Sequence, residues 1–180
     1  AEGRPGDRNA GCDYLIVTHP DLRDAARRLA AVERARGLTA RIATTDETGP
    51  TAAAIESYVD ASMSWRNPPS YLCLLGDVEL VPTVYRTEHP TGRFDDGQRK
   101  WIGSDHAYAC VDGPADFEAD LLCGRLPAGD LAEATAMIQK LEDQLDRPVD
   151  PAALERVLLA SYFQDADGDG REDRAYVQSA

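Results

Sequence analysis

Short apolar runs alternate along the chain with longer stretches in which apolar residues recur at helical spacing. The runs at 13–17 and 71–75 are apolar at nearly every position, which is typical of strands buried on both faces of a parallel sheet. Between them, residues 39–44 alternate in the manner of a third strand. The pattern therefore predicts three strands in the first 75 residues.

Helical spacing predicts a helix between each pair of these strands. The first helix carries its apolar stripe over 22–32, is capped by Asp21 and is ended by Gly37. The second begins with Pro50 in its first turn and carries the stripe 55–63. Strand, helix, strand, helix, strand with short connections is typical of a parallel sheet covered by helices, so the predicted fold class is α/β with a mostly parallel sheet.

The pattern weakens after residue 78. Residues 79–104 are rich in Pro, Gly and charge and predict a long surface loop. Two short strands are predicted at 107–111 and 120–123, joined as a hairpin by a turn at 112–114. At the strand ends we expect a structural role for Gly76, Asp77, Ser104 and Asp105, with Asp105 bonding backbone donors in its turn.

The last predicted elements are a helix and one further strand. Asp130 and Glu133 form a capping-box pattern, and the amphipathic helix after them continues to Leu145 and stops before Pro148. A strand begins at 157–160. We therefore divide the chain into a flexible N-terminal arm (1–11), an N-terminal α/β subdomain (12–150) and the start of a second subdomain (151–180).

Charge excludes two classes of partner. With 32 acidic and 19 basic residues the formal net charge is −13, and 16 of the acids but only 6 of the bases lie in residues 112–180. Nucleic acid and anionic membrane surfaces require clustered Lys and Arg, which the sequence lacks, so neither is an expected partner. Since no apolar run approaches the roughly 20 residues of a membrane-spanning helix, we expect a soluble protein.

Cysteine and histidine spacing offers little chemistry. The cysteines are Cys12, Cys73, Cys110 and Cys123, and the histidines are His19, His89 and His106. No spacing typical of a metal site occurs among them. Cys110 and Cys123 could face each other across the predicted hairpin, so a disulfide between them and two separate thiols both remain open. Either of them could formally form a nucleophile–base pair with His106, but a thiol buried in a strand has a raised pKa, so we do not expect an active dyad.

An acidic turn follows the last predicted strand. Asp165, Asp167 and Asp169 alternate with small residues, and such a turn can supply the oxygen ligands that calcium prefers. The full helix–loop–helix calcium motif fails, because its twelfth position is Tyr176 where the motif has a Glu. A calcium site and a plain polar turn therefore both remain open.

Taken together, the ordered landmarks resemble the gingipain-like cysteine peptidases over nearly the whole chain. They are DYLIVT at Asp13, YLCLLGDVELVP at Tyr71, SDHAY at Ser104, LLCGRLP at Leu121, Lys140, and ASYFQDADGDGREDR at Ala160. The resemblance implies a caspase-like α/β sandwich, of which this chain is the first subdomain and the opening of the second. It also implies a secreted, calcium-stabilised endopeptidase that acts on protein or peptide substrates, although the chain carries no signal peptide.

In that family the catalytic Cys and His lie downstream of the segment that 160–174 resembles, so we expect both to be absent here and the remainder of the catalytic domain to be a partner. The resemblance assigns Asp165, or Gln164 if the register slips by one, to orienting the catalytic His. It assigns Asp173 to the pocket for a basic P1 side chain, although Asp173 could merely cap a helix. The alternative function is a noncatalytic calcium-binding or partner-binding α/β module.

Overall fold

The computed structural model describes residues 10–86, 102–113 and 117–147. Compactness divides the chain into two units, Ala1–Gln144 and Leu145–Ala180, and the second contributes only residues 145–147 to the described part. The predicted strand at 157–160 lies outside the described residues, as does most of the predicted arm. The predicted subdomain boundary at 150 stays a prediction.

The described chain forms a four-stranded parallel sheet, a small antiparallel pair and four α-helices. The strands are β1 (Tyr14–Thr18), β2 (Ala40–Thr44), β3 (Tyr71–Leu75), β4 (Val84–Arg86), β5 (Ile102–Ser104) and β6 (Leu122–Leu126). The helices are α1 (Arg23–Ala35), α2 (Thr45–Thr48), α3 (Ala52–Ser62) and α4 (Leu131–Asp146), with 3₁₀ turns at Pro20–Leu22 and His106–Ala109. The parallel sheet has the order β2-β1-β3-β6, and β4 pairs with β5.

The apolar runs of the two central strands are buried on both faces because helices cover both. Leu15 and Val17 of β1 pack in a cluster with α3 and the 3₁₀ turn His106–Ala109. Ile16, between them, packs in a second cluster with α1 and α4. Since alternate residues of a strand point to opposite faces, the continuous apolar pattern is what a helix–sheet–helix sandwich requires.

The prediction for the first 75 residues is confirmed with shifted boundaries. All three strands are parallel, and Gly37 follows the end of α1 with a φ of +95°. Asp21 does not cap α1, because a 3₁₀ turn precedes that helix; His19 caps the turn by accepting the Asp21 backbone N–H. The second predicted helix corresponds to α3. It is capped by Thr51, whose hydroxyl accepts the N–H of Ala54, so Pro50 lies just outside it.

The predicted hairpin was wrong. Residues 107–109 of this run belong to a 3₁₀ turn, and Tyr108 and Ala109 are buried by packing on the sheet without joining it. The later strand, β6, pairs in parallel with β3 and extends beyond the predicted 120–123. Cys110 and Cys123 do not form a disulfide. The predicted long loop 79–104 was also wrong in part, since it contains β4 and β5.

The helix predicted after Asp130 is confirmed as α4. The N–H of Glu133 donates to Asp130 Oδ1, and the Glu133 carboxylate returns to the N–H of Gly129, a capping box displaced by one residue. No helix among the described residues is both long and apolar enough to cross a membrane.

Candidate functional site

The site residues predicted from sequence lie outside the part of the chain that the structure describes. They are Gln164, Asp165, Asp167, Asp169 and Asp173. Their assignments to histidine orientation, calcium and a basic P1 pocket stay predictions. The described residues instead define the carboxyl edge of the parallel sheet, where α/β proteins place their ligand sites.

The switch point of this sheet lies between β1 and β3. From β1 the chain passes to β2 on one side and then crosses to β3 on the other, which creates a crevice at the ends of these two strands. The Thr18 hydroxyl joins the ends of β1 and β3 by donating to the Leu75 carbonyl at 2.8 Å. Gly76 follows with a φ of +141°, and a Cβ there would lie 2.9 Å from Val81, so the chain turns back closely on itself.

Asp77 organises the turn that leaves β3. Its Oδ1 accepts the backbone N–H groups of Glu79 and Leu80 at 3.1 and 3.2 Å. The Asp77 N–H donates to the Ala128 carbonyl at 2.9 Å, which ties the exit of β3 to the exit of β6. The turn is therefore fixed at both strand ends.

Arg125, near the end of β6, holds the segment that follows this turn. Its guanidinium donates to the carbonyls of Gly76 and Val81 at 2.7 Å each and grips the Asp105 carboxylate with two bonds of 2.7 and 2.8 Å. The Arg125 side chain is only 12% exposed. This Arg125 network was not predicted, although an Arg beside a buried apolar strand is a pattern that could have drawn attention to it.

The role predicted for Asp105 was wrong. Among the described residues, the Asp105 carboxylate accepts from Arg125 and from the Thr83 hydroxyl, each at 2.7 Å, and not from backbone donors. Burial would raise the pKa of Asp105, but hydrogen bonds from Arg125 and Thr83 and the charge of Arg125 together hold it below its ordinary value. The backbone-capping role belongs to Asp77, and Ser104 caps the N–H of His106.

His106 and Cys110 are in contact. His106 Nε2 lies 3.4 Å from Cys110 Sγ and 3.1 Å from the Phe117 carbonyl oxygen. His106 Nε2 either carries a proton and donates to the Phe117 carbonyl oxygen, or lacks a proton and accepts from the Cys110 thiol. Cys110 is only 6% exposed, which leaves its sulfur poorly accessible to a peptide carbonyl. The contact therefore fastens residue 117 to the 3₁₀ turn and has little of the access that a catalytic dyad requires.

The other three cysteines are poor nucleophiles at neutral pH. Burial raises the pKa of Cys12 and of Cys73 to about 11 and that of Cys123 to about 12. At neutral pH all three are thiols, and the thiol is the unreactive form. Within the described ranges, no three His, Cys, Asp or Glu side chains group closely enough to hold a metal ion.

Comparison with known proteins places this architecture among peptidases. The sequence profile described as Peptidase family C25 matches residues 7–179. The fold is similar to the complex of Porphyromonas gingivalis RgpB pro- and mature domains, with 18% identity, a TM-score of 0.58, and coverage of 71% of this chain and 27% of that one. No curated protein matches the sequence significantly.

Two further structures show the same likeness. Dimeric latent PorU from Porphyromonas gingivalis is 20% identical with a TM-score of 0.58, over 87% of this chain and 18% of that one. The Arg specific cysteine proteinase gingipain R is 18% identical with a TM-score of 0.57, over 77% of this chain and 29% of that one. The predicted fold class, a mostly parallel caspase-like sandwich, is confirmed. The chain spans less than a third of the length of each structure.

Proposed function

The chain belongs to peptidase family C25, and from this membership we propose that it is the N-terminal portion of a secreted, gingipain-like cysteine endopeptidase. The observation that carries the proposal is the profile match over residues 7–179, supported by a fold similar to that of gingipain structures. The substrates are proteins or peptides, and the partner of this chain is the remainder of the catalytic domain.

The nucleophilic Cys and its His base lie outside these 180 residues in this proposal. Three of the four cysteines have pKa values raised to about 11 or 12, and Cys110 is buried against His106. What the described residues contribute is a rigid carboxyl edge, held by the Arg125 network, on which the rest of the enzyme is built.

A comparison of two proteins tests this division of labour. The 180-residue chain and a version extended with the rest of the catalytic domain are assayed on peptides containing Arg or Lys. We expect cleavage only by the extended protein. A Cys110→Ala change in the extended protein serves as a control and leaves its activity unchanged. Cleavage by the 180-residue chain would disprove the proposal, and an extended protein without activity would favour a noncatalytic module.

The acidic segment after residue 160 supplies the second part of the proposal. Asp165, or Gln164 in the shifted register, orients the catalytic imidazole by accepting its N–H, which fixes the tautomer and stabilises the imidazolium formed during acyl transfer. Asp173 pairs with a basic P1 side chain. In the extended enzyme, Asp173→Asn should therefore reduce kcat/KM for Arg substrates by about tenfold or more, whereas Glu172→Gln, a neutralised neighbour, should not. Equal losses in both variants would remove Asp173 from the pocket.

Calcium is the proposed structural ion, with Asp165, Asp167 and Asp169 as ligands. A ligand that binds only the folded state raises its melting temperature, so a chelator should lower the Tm of the chain and added calcium should restore it. Replacing all three residues by Asn should abolish the response. A Tm that chelation leaves unchanged would contradict the site.

A further inference from the structure

A surface depression of about 240 Å³ lies beside strand β2, at the far side of the sheet from the Arg125 network. It is lined by Arg23, Arg27, Ile42, Thr44 and Glu47. Arg23 and Arg27 are one turn apart on α1, and Ile42 and Thr44 are two residues apart on β2, so each pair faces the same side of its element. The lining is thus mostly polar, with two guanidinium groups, a hydroxyl group and a carboxylate around Ile42, the one apolar residue of the five.

The charge around this depression is opposite to that of the whole chain. Residues 23–47, which include all five lining residues, contain six arginines and four acids, a net charge of +2, in a chain whose net charge is −13. The rest of the sequence therefore carries −15. A local basic region on an acidic protein attracts short anionic groups, while the overall charge repels long polyanions such as nucleic acid.

The two arginines that line the depression can change partners at little cost. Arg23 donates to the Thr44 hydroxyl at a long 3.3 Å. Arg27 pairs with Asp24 at 2.7 Å, but their side chains are 65% and 74% exposed. Such a surface pair contributes only about 0–1 kcal/mol, so an incoming anion can displace it.

The other side chains around the depression are committed elsewhere. The Glu47 carboxylate accepts from Arg41 at 2.7 Å and from the Tyr58 hydroxyl at 3.0 Å, so its charge is already compensated. Arg28 is bound to Glu142 of α4, and Arg36 to Glu33. Arg23 and Arg27 are therefore the guanidinium groups of α1 that face the depression and are best placed to take a ligand.

We propose that this depression binds a carboxylate of an acidic peptide segment from a partner protein. The planar guanidinium fork matches a carboxylate bidentately, and the methylene groups of an Asp or Glu side chain fit against Ile42. The Thr44 hydroxyl supplies an additional donor. None of the lining residues belongs to the acidic segment proposed to serve catalysis, and the proposed binding does not depend on peptidase activity.

Titration of the full 180-residue chain tests the proposal. The probes are acetyl-tetraglutamate amide, acetyl-tetraglutamine amide and inorganic phosphate, and binding is followed by calorimetry and by NMR of the arginine side-chain N–H groups. We expect the glutamate peptide to bind at low salt and to shift the Arg23 and Arg27 resonances, while the glutamine peptide does not bind. The Arg23→Gln/Arg27→Gln double variant should weaken binding at least about tenfold.

Matched variants separate a site from a general charge effect. Lys140→Gln/Arg147→Gln removes the same two positive charges from exposed positions on or beside α4 and should change affinity less than about twofold. Asp24→Asn frees Arg27 and should strengthen binding, whereas Asp146→Asn should not. Equal weakening by both double variants would overturn the proposal, as would phosphate binding as tightly as the glutamate peptide.

Discussion

Arg125 is a charged residue used as a structural cross-link. Its guanidinium donates hydrogen bonds to the carbonyls of Gly76 and Val81 and to the carboxylate of Asp105, all of which lie far from Arg125 in the sequence. Because these acceptors are partly buried, removing the guanidinium would leave a carboxylate without its counter-charge. The loss of folding free energy is then set by the acceptors that remain without a donor, and not by the strength of the ion pair itself.

We predict that Arg125→Met lowers the free energy of unfolding by about 3 kcal/mol, since it strands Asp105. Arg27→Met is the control, because it removes an exposed pair and should cost less than about 1 kcal/mol. Urea unfolding measures both. Similar losses for the two variants would show that the Arg125 network does not hold the sheet edge.

Asp13 gives the chain a pH-dependent contribution at the opposite edge of the sheet. Hydrogen bonds from the side chain and backbone of Thr39, at 2.6 and 2.7 Å, and from Asn67 at 3.1 Å lower the pKa of Asp13. A carboxyl group whose pKa is lower in the folded state stabilises that state, and the full contribution is present above the pKa of the unfolded chain, about 3.9. The contribution is lost as the pH falls through the lower pKa of the folded state.

We therefore predict that Asp13→Asn destabilises the chain at pH 6 and that the difference from wild type shrinks below about pH 3.9. Urea unfolding at pH 6 and pH 3 measures it, with Asp146→Asn as a control that removes an exposed carboxylate. A difference that stays constant with pH would rule out this linkage.

At the scale of elements, the strands and helices with a clear apolar periodicity were predicted from the sequence, whereas an element whose conformation depends on tertiary packing was not. The strands β1 and β3 were predictable because both faces are apolar, and α4 because its cap and its stripe agree. The run around Tyr108 is equally apolar, but it buries as a 3₁₀ turn whose Tyr hydroxyl reaches the Pro82 carbonyl at 2.6 Å. Periodicity cannot distinguish those outcomes over four residues.

The site was less predictable than the fold for a related reason. The partners of Arg125 lie between 20 and 49 positions away from it in the sequence, and the local sequence around Arg125 does not identify them. The residues assigned by resemblance, from Gln164 to Asp173, lie outside the described residues and stay predictions.

Helix α4 offers a direct test of how its stripe contributes. Ile138 is fully buried against the sheet, whereas Leu141, one turn later, is 39% exposed. We predict that Ile138→Ala costs about 2–5 kcal/mol because it opens a cavity, and that Leu141→Ala costs less than about 1 kcal/mol. Urea unfolding midpoints compare them, and a larger loss at Leu141 would contradict the packing.

At the scale of the whole molecule, the described core is concentrated in one stretch of chain. The residues of both buried clusters lie between Cys12 and Ile138. The described core therefore extends into the acidic last third of the chain through Leu121, Ala128, Ala134 and Ile138.

We predict that a chain ending at residue 147 retains its secondary structure and unfolds in one cooperative transition. Circular dichroism with urea unfolding measures this, and the 180-residue chain is the reference. Loss of cooperativity together with binding of a hydrophobic dye would mean that the last 33 residues complete the core.

The β4–β5 pair makes one position on this molecule suitable for grafting. Arg86 and Ile102 are partners in the antiparallel ladder, so the chain departs from the body and returns to it at neighbouring points. A foreign peptide exchanged for residues 87–101 would begin and end where the backbone is already joined. Each doubling of its length should cost only about 0.6 kcal/mol in closure entropy, so an epitope or a reporter could be displayed there without redesign of the sheet.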